Sequence, residues 1–74
     1  MNSEFTLLIS RSEIDPRDYY AQRQAANGNW SRRIPFNPQF PFEFGRIGIP
    51  AAQIESVLQQ LFELPLGGSL VVMV

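Results

Sequence analysis

The residues of this chain that could carry chemistry are arginines, carboxylates and aromatic rings. All six basic residues are Arg, and the sequence contains no Lys, His or Cys. The usual general base, thiol nucleophile and Schiff-base amine are therefore missing, as are the common zinc ligands. We expect a protein that is not an enzyme and that holds no metal or cofactor.

One close pair of carboxylates, Asp15 and Asp18, could still act as a general acid and base. Together with Asn27 and Asn29, the pair could also offer oxygen ligands to a hard cation. Asp15 followed by Pro16 is, however, typical of a helix start, in which the carboxylate caps the first turn. We interpret both aspartates as structural and expect neither a catalytic nor a metal site.

Residues 29–41 combine aromatic, basic and proline residues, and we expect them to form a Pro/aromatic-rich connection. Pro35, Pro38 and Pro41 recur at the period of a polyproline II helix. Arg32, Pro35 and Pro38 match a basic-flanked PxxP ligand of SH3-type grooves, although we favour prolines that stiffen a packed connection. Trp and Arg are enriched at interface hot spots. The predicted partner-binding residues are Trp30, Arg32, Arg33, Phe36 and Phe40. We expect Arg32, Arg33 and at least one of Trp30 and Phe36 to be exposed.

The distribution of charge supports an alternative function. The whole chain carries a net charge of −1, but residues 16–46 contain five arginines against two carboxylates. Arginines interleaved with aromatic rings are typical of proteins that bind single-stranded nucleic acid. The residues that would contact phosphates or stack on bases are Arg17, Tyr19, Tyr20, Arg23, Trp30, Arg32, Arg33 and Arg46. Because the net charge is near zero, we favour a partner protein over a nucleic acid.

The length of the chain predicts a single small α+β domain over residues 1–74. A core of this size gives marginal stability, and the chain has no Cys for disulfides. We therefore expect a homodimer, formed through a sheet edge or an aromatic face. No apolar run approaches the ~20 residues that span a membrane, so we expect a cytoplasmic protein.

The strongest secondary-structure pattern lies between Pro50 and Leu64. Apolar residues at Ile54, Val57, Leu58, Leu61 and Phe62 recur with the spacing of one helix face. The β-branched run 69–74 follows directly and predicts a buried strand.

The other predicted elements are a strand over residues 4–10, a helix over 15–26 and a strand over 42–49. In the last of these, Phe40, Phe42 and Phe44 would share one face. Residues 42–74 would then form a right-handed βαβ unit. The expected fold is a three-stranded sheet with two helices packed on one face, in the order β-α-loop-β-α-β. The expected function is that of a small adaptor or inhibitor, such as a phage or bacterial accessory protein, that occupies a partner's surface.

Overall fold

The computed structural model describes residues 5–74 and contains four strands and two helices within them. The strands form one sheet in the order β3-β2-β1-β4, and every neighbouring pair is antiparallel. The α+β class is therefore confirmed, whereas the predicted number of three strands is wrong. The elements are β1 (Thr6–Arg11), β2 (Tyr19–Arg23), β3 (Ile34–Phe36), α1 (Pro41–Arg46), α2 (Ala51–Phe62) and β4 (Ser69–Met73).

The core lies between one face of the sheet and the two helices. Side chains alternate along a strand, so Leu7 and Ile9 of β1 point to the same face as Tyr19 and Ala21 of β2. The helices and the segment between them cover this face, and Phe44 of α1 is completely buried. The buried cluster consists of Leu7, Ile9, Tyr19, Ala21, Phe36, Phe44, Ile47, Ile49, Val57, Leu61 and Val72.

The helix predicted over Pro50–Leu64 is confirmed, with slightly different ends. It spans Ala51–Phe62, and Pro50 precedes it in an extended conformation as the N-cap residue. Val57 and Leu61 are buried, and Leu58 is half-buried. The strand predicted after this helix is also confirmed as β4, but the prediction that it is buried is wrong, because β4 lies at the edge of the sheet and Ser69, Val71 and Met73 are exposed.

The helix predicted over residues 15–26 is wrong, because this segment contains a turn, β2 and the start of a second turn. Asp15 accepts a hydrogen bond from the backbone N–H of Arg17 (2.9 Å), which makes an Asx turn around Pro16. Asn27-Gly28, which would be typical of the end of such a helix, lies instead in the β2–β3 hairpin turn, where Gly28 has a φ of +90°. Asp-Pro and Asn-Gly pairs occur at the ends of helices and also in the turns between strands, so they did not distinguish a helix from a strand here.

The strand predicted over residues 42–49 is also wrong, because α1 begins at Pro41. Phe44 points into the core, while Phe40 and Phe42 are exposed, so the three rings do not share a face. The βαβ unit is therefore absent from residues 5–74, and β4 instead pairs antiparallel with β1. Glu4, at the start of the predicted first strand, lies outside the described residues.

One glycine fixes the connection between the helices. Gly48 has a φ of +94°, and a Cβ atom there would lie 2.6 Å from the Phe5 ring. A side chain at this position would therefore be strained and would also displace Phe5.

Candidate protein-binding surface

The five predicted contact residues occupy different parts of the molecule. Arg32 and Arg33 are exposed, as are Trp30 at 40% and Phe40 at 49%. The predicted exposure of the arginines and of Trp30 is therefore confirmed, while their contact with a partner stays a prediction. Phe36 is only 5% exposed, and its ring packs 6.1 Å from that of Tyr19. It belongs to the core and is not available as a surface contact.

The exposed members of this group do not form one patch. Trp30 makes an isolated bridge with Gln24, beyond the end of β2. Phe40 follows the other end of β3 and stacks on Phe42, with 5.9 Å between the ring centroids. Only Arg33 joins a larger surface, because its guanidinium carbon lies 5.6 Å from the centroid of the Tyr20 ring.

That larger surface is the side of the sheet opposite the core, which we call the open sheet face. None of the helices described between residues 5 and 74 contributes buried side chains to it. The strand side chains that alternate with the buried ones define this face: Thr6, Leu8, Ser10, Tyr20, Gln22, Pro35, Ser69, Val71 and Met73.

The apolar side chains of the open sheet face lie on β1 and on the edge strand β4. Val71 lies opposite Leu8, and Met73 lies opposite Thr6, whose hydroxyl is 3.5 Å from the Met73 sulfur. Val71 and Met73 are each 57% exposed. The neighbouring β1–β2 loop holds Ile14, which is 91% exposed. Large apolar side chains are therefore exposed to solvent both on the sheet and on the neighbouring β1–β2 loop.

An open depression of about 430 Å³ lies where this face meets the β1–β2 loop. Leu8, Tyr20 and Arg33 line one part of it, and Glu13 and Ile14 line another. It combines the apolar side chains of Leu8 and Ile14 with two cationic side chains, Arg11 and Arg33, one anionic side chain, Glu13, and several serines. Such a mixture suits a protein side chain better than a small ligand, which usually needs an enclosed pocket.

A second depression of about 430 Å³ lies beside the C-terminal end of α2, but its cations are already used. Arg11 donates from Nε to the carbonyl of Pro16 (2.8 Å) and from Nη1 to the carbonyl of Leu64 (2.5 Å). Arg17 forms an ion pair with Asp15. The side-chain hydrogen bond from Arg17 is the main reason that the pKa of the Asp15 carboxyl lies below its usual value. These contacts fasten the β1–β2 loop and the helix end, and they leave little to hold a ligand.

A third set of polar contacts fastens α1 to β3. Arg46 donates to Glu43 (2.6 Å) and to the carbonyl of Pro35 (2.6 Å). The hydrogen bond from Arg46 is the main reason that the pKa of Glu43 lies below its usual value. The short helix is therefore held in place, and Phe40 and Phe42 project from it.

Other kinds of site find no support in the described part of the chain. Across residues 5–74, no three His, Cys, Asp or Glu side chains are placed to share a metal ion. The helices in the same range are too short to cross a membrane. No family model, curated protein or solved structure matches the chain, so its function is inferred from these surfaces alone.

Sequence reasoning missed the main residues of this face. Tyr20 was assigned to a helix, and Val71 and Met73 were assigned to a buried strand. One signal did point to them, because Leu8 makes the second face of β1 partly apolar. A strand with apolar side chains on both faces is favoured by cover on both sides, and the described helices supply it on one.

Proposed function

We propose that this protein is a non-enzymatic protein–protein interaction module that binds its partner through the open sheet face. The observation that supports the proposal is the uncovered apolar surface of Leu8, Val71 and Met73. The solvated face of an antiparallel sheet is ordinarily polar. A contiguous exposed apolar surface instead marks an interaction site.

The chemistry around this surface suggests the partner. Arg33 lies on the Tyr20 ring, and Arg32 beside it is exposed. A guanidinium held on an aromatic ring keeps its donors for a carboxylate, which it binds through two parallel hydrogen bonds. We therefore propose a partner with an apolar surface bordered by Asp or Glu. A small cytoplasmic adaptor or inhibitor that acts by covering such a surface is the corresponding biological role.

The structure supports the nucleic-acid alternative less well. Of its proposed phosphate contacts, Arg17 and Arg46 are engaged in ion pairs with Asp15 and Glu43. Of its proposed stacking residues, Tyr19 is buried. A groove for single-stranded nucleic acid would then depend on Tyr20 and Trp30 for stacking, and on the three remaining arginines, Arg23, Arg32 and Arg33, for phosphate contacts.

The double variant Arg32→Ala/Arg33→Ala tests the proposed surface. We expect it to lose most partner capture from an extract of the native host, because it removes the cationic border. Its melting temperature should stay within a degree or two of the parent, because neither arginine forms an ion pair with another described residue. Quantitative pull-down and differential scanning calorimetry measure the two effects.

Two single variants with the same change in charge provide the control. Arg23→Ala removes one arginine from the end of β2, where it lies over the Phe5 ring, and should keep partner capture, whereas Arg33→Ala alone should lose it. Equal losses in both variants would contradict a specific surface. Tight binding of a labelled single-stranded oligonucleotide, with affinity that falls steeply as salt rises, would favour the nucleic-acid alternative.

A further inference from the structure

The outer edge of β4 carries backbone groups that pair with no other described strand. β4 is the last strand in the sheet order, and only β1 pairs with it. Phe5 and Val74 exchange backbone hydrogen bonds (3.4 and 3.0 Å), and Arg11 donates to Gly68 (2.9 Å). Since bonded and non-bonded pairs alternate in an antiparallel ladder, Leu70 and Val72 also bond to β1. The N–H and C=O groups of Ser69, Val71 and Met73 therefore point outward.

Nothing in the sequence of this edge protects it from another strand. Residues 64–74 contain no charged side chain, and the five residues of β4 contain no proline. Natural sheets commonly protect an edge with Lys, Pro, a bulge or a very short strand. The nearest cover is Gln53, whose Nε2 lies 3.5 Å from the Met73 carbonyl. That long contact leaves the second lone pair of the carbonyl oxygen available.

The opposite edge of the sheet is protected in several ways. β3 has only three residues, and its middle residue, Pro35, has no N–H to donate. Arg46 already donates to the Pro35 carbonyl (2.6 Å). Arg32 and Arg33 precede the strand and are exposed. The β3 edge of the sheet is therefore protected against pairing with another strand, whereas the β4 edge is not.

We propose that a second copy of this chain pairs with the β4 edge, antiparallel and about a two-fold axis at Val71. In this register Val71 lies opposite the partner's Val71, and Ser69 lies opposite the partner's Met73. All three residues whose backbone groups point outward then form bonded pairs, so every outward N–H and C=O of β4 is satisfied. No charged side chain of β4 meets another, because the strand has none.

The difference between the two edges also predicts that assembly stops at two copies. Pairing two β4 edges uses the open edge of each copy and leaves a protected β3 at both ends of an eight-stranded sheet. The same surface serves both copies, so the interface is closed and does not propagate into fibres. The open sheet faces become continuous across the junction, which doubles the apolar surface available to a partner protein.

The variant Val71→Lys tests this dimer. It places two lysines directly opposite each other at the two-fold axis, and like charges in that position oppose strand pairing. We expect sedimentation equilibrium to show twice the 8.4 kDa chain mass for the parent at high micromolar concentration. The variant should dimerise about tenfold more weakly or not at all. Because Val71 is largely exposed, the variant should keep its fold, which circular dichroism verifies.

The matched control is Ala26→Lys, which adds the same charge at an exposed position in the β2–β3 turn. It should dimerise like the parent. The variant Arg32→Ala/Arg33→Ala should also dimerise like the parent, so a failure of the partner-binding proposal would not be confused with a failure of this one.

Amide hydrogen exchange provides a second measurement that does not depend on a variant. Diluting the parent should speed exchange at Ser69, Val71 and Met73, while Leu70 and Val72 stay protected by their bonds to β1. Three results would overturn the proposal: a single 8.4 kDa species at all concentrations, a dimer unaffected by Val71→Lys, or assembly beyond two copies.

Discussion

At the scale of single residues, two side chains hold the C-terminal end of α2 against the sheet. Tyr19 donates its buried hydroxyl to the carbonyl of Leu61 (3.2 Å), and Arg11 reaches the carbonyls of Leu64 and, at 3.4 Å, Phe62. The last carbonyls of a helix have no partner within it, and a cation there also meets the negative end of the helix dipole. Neither role was visible in the sequence, because both residues lie more than 40 positions from the groups they contact.

The pKa of Tyr19 gives this contact a pH dependence. Burial raises the pKa of Tyr19 above its ordinary value of 10.0, while the nearby Arg11 opposes part of that rise. The folded state therefore binds the phenolic proton more tightly than the unfolded state does. The resulting stability is fully present below the ordinary pKa and is lost as the pH rises through the folded pKa.

The variant Tyr19→Phe tests this contribution. It should lower the free energy of unfolding at neutral pH by about 1 kcal/mol, because the buried hydrogen bond from Tyr19 is lost while the Leu61 carbonyl keeps only the bond from the Leu64 N–H. It should also flatten the loss of stability that the parent shows at alkaline pH. Urea unfolding across neutral and alkaline pH measures both effects. Tyr20→Phe is the control, because it keeps the Tyr19 hydroxyl, and an unchanged alkaline profile in Tyr19→Phe would contradict this assignment.

At the scale of elements, α2 contributes two buried side chains, Val57 and Leu61, to the core. Leu61 is fully buried in it, whereas the adjacent Phe62 is 52% exposed. Leu58, which the sequence placed in the core, is half-buried and packs at its margin. The helix face is therefore rotated slightly from the predicted one, towards Val57 and Leu61.

The variant Leu61→Ala should lower the free energy of unfolding by ~2–5 kcal/mol, because it leaves a cavity at a site with no exposure. Leu58→Ala should cost less, and Phe62→Ala should have the smallest effect of the three. Chemical denaturation of the three variants gives this order directly. A Leu61→Ala protein as stable as the parent would show that α2 does not pack as described.

At the scale of the whole molecule, the small core and the proposed pairing of the β4 edge both affect the equilibrium between the folded and the unfolded chain. Seventy-four residues bury only ~60–65% of the surface of the unfolded chain, so folding alone leaves little stability to spare. A dimer that forms only from folded chains adds stability through mass action. Association through β4 would therefore stabilise the monomer fold as well as extend the sheet.

The melting temperature of the parent should consequently rise with protein concentration over a hundredfold range, while that of Val71→Lys should stay nearly constant. Calorimetry at several concentrations measures this difference. Ala26→Lys should follow the parent. A parent melting temperature that does not depend on concentration would argue against any contribution of assembly to stability.

The sequence by itself determined the elements whose local patterns allow one interpretation. The spacing of Val57, Leu58 and Leu61 is typical of a helix, and the run of β4 favours a strand because it is short, apolar and preceded by two glycines. The absence of Lys, His and Cys likewise determined which chemistry to expect. The adjacent charges of Arg32 and Arg33 determined that these two side chains are exposed.

Only the tertiary structure decided between patterns that suit two structures equally well. Asp15-Pro16 and Asn27-Gly28 lie before and after a strand, β2, and not at the ends of a helix, because Tyr19 and Ala21 complete the buried face of the sheet beside Ile9. Phe44 turns inward on a short helix to fill the core beside Phe36, where the ring centroids lie 5.8 Å apart. Strand order followed from these contacts between distant residues. Among residues 5–74, it is strand order that leaves one sheet face and the β4 edge without a covering element, and no local pattern encodes that result.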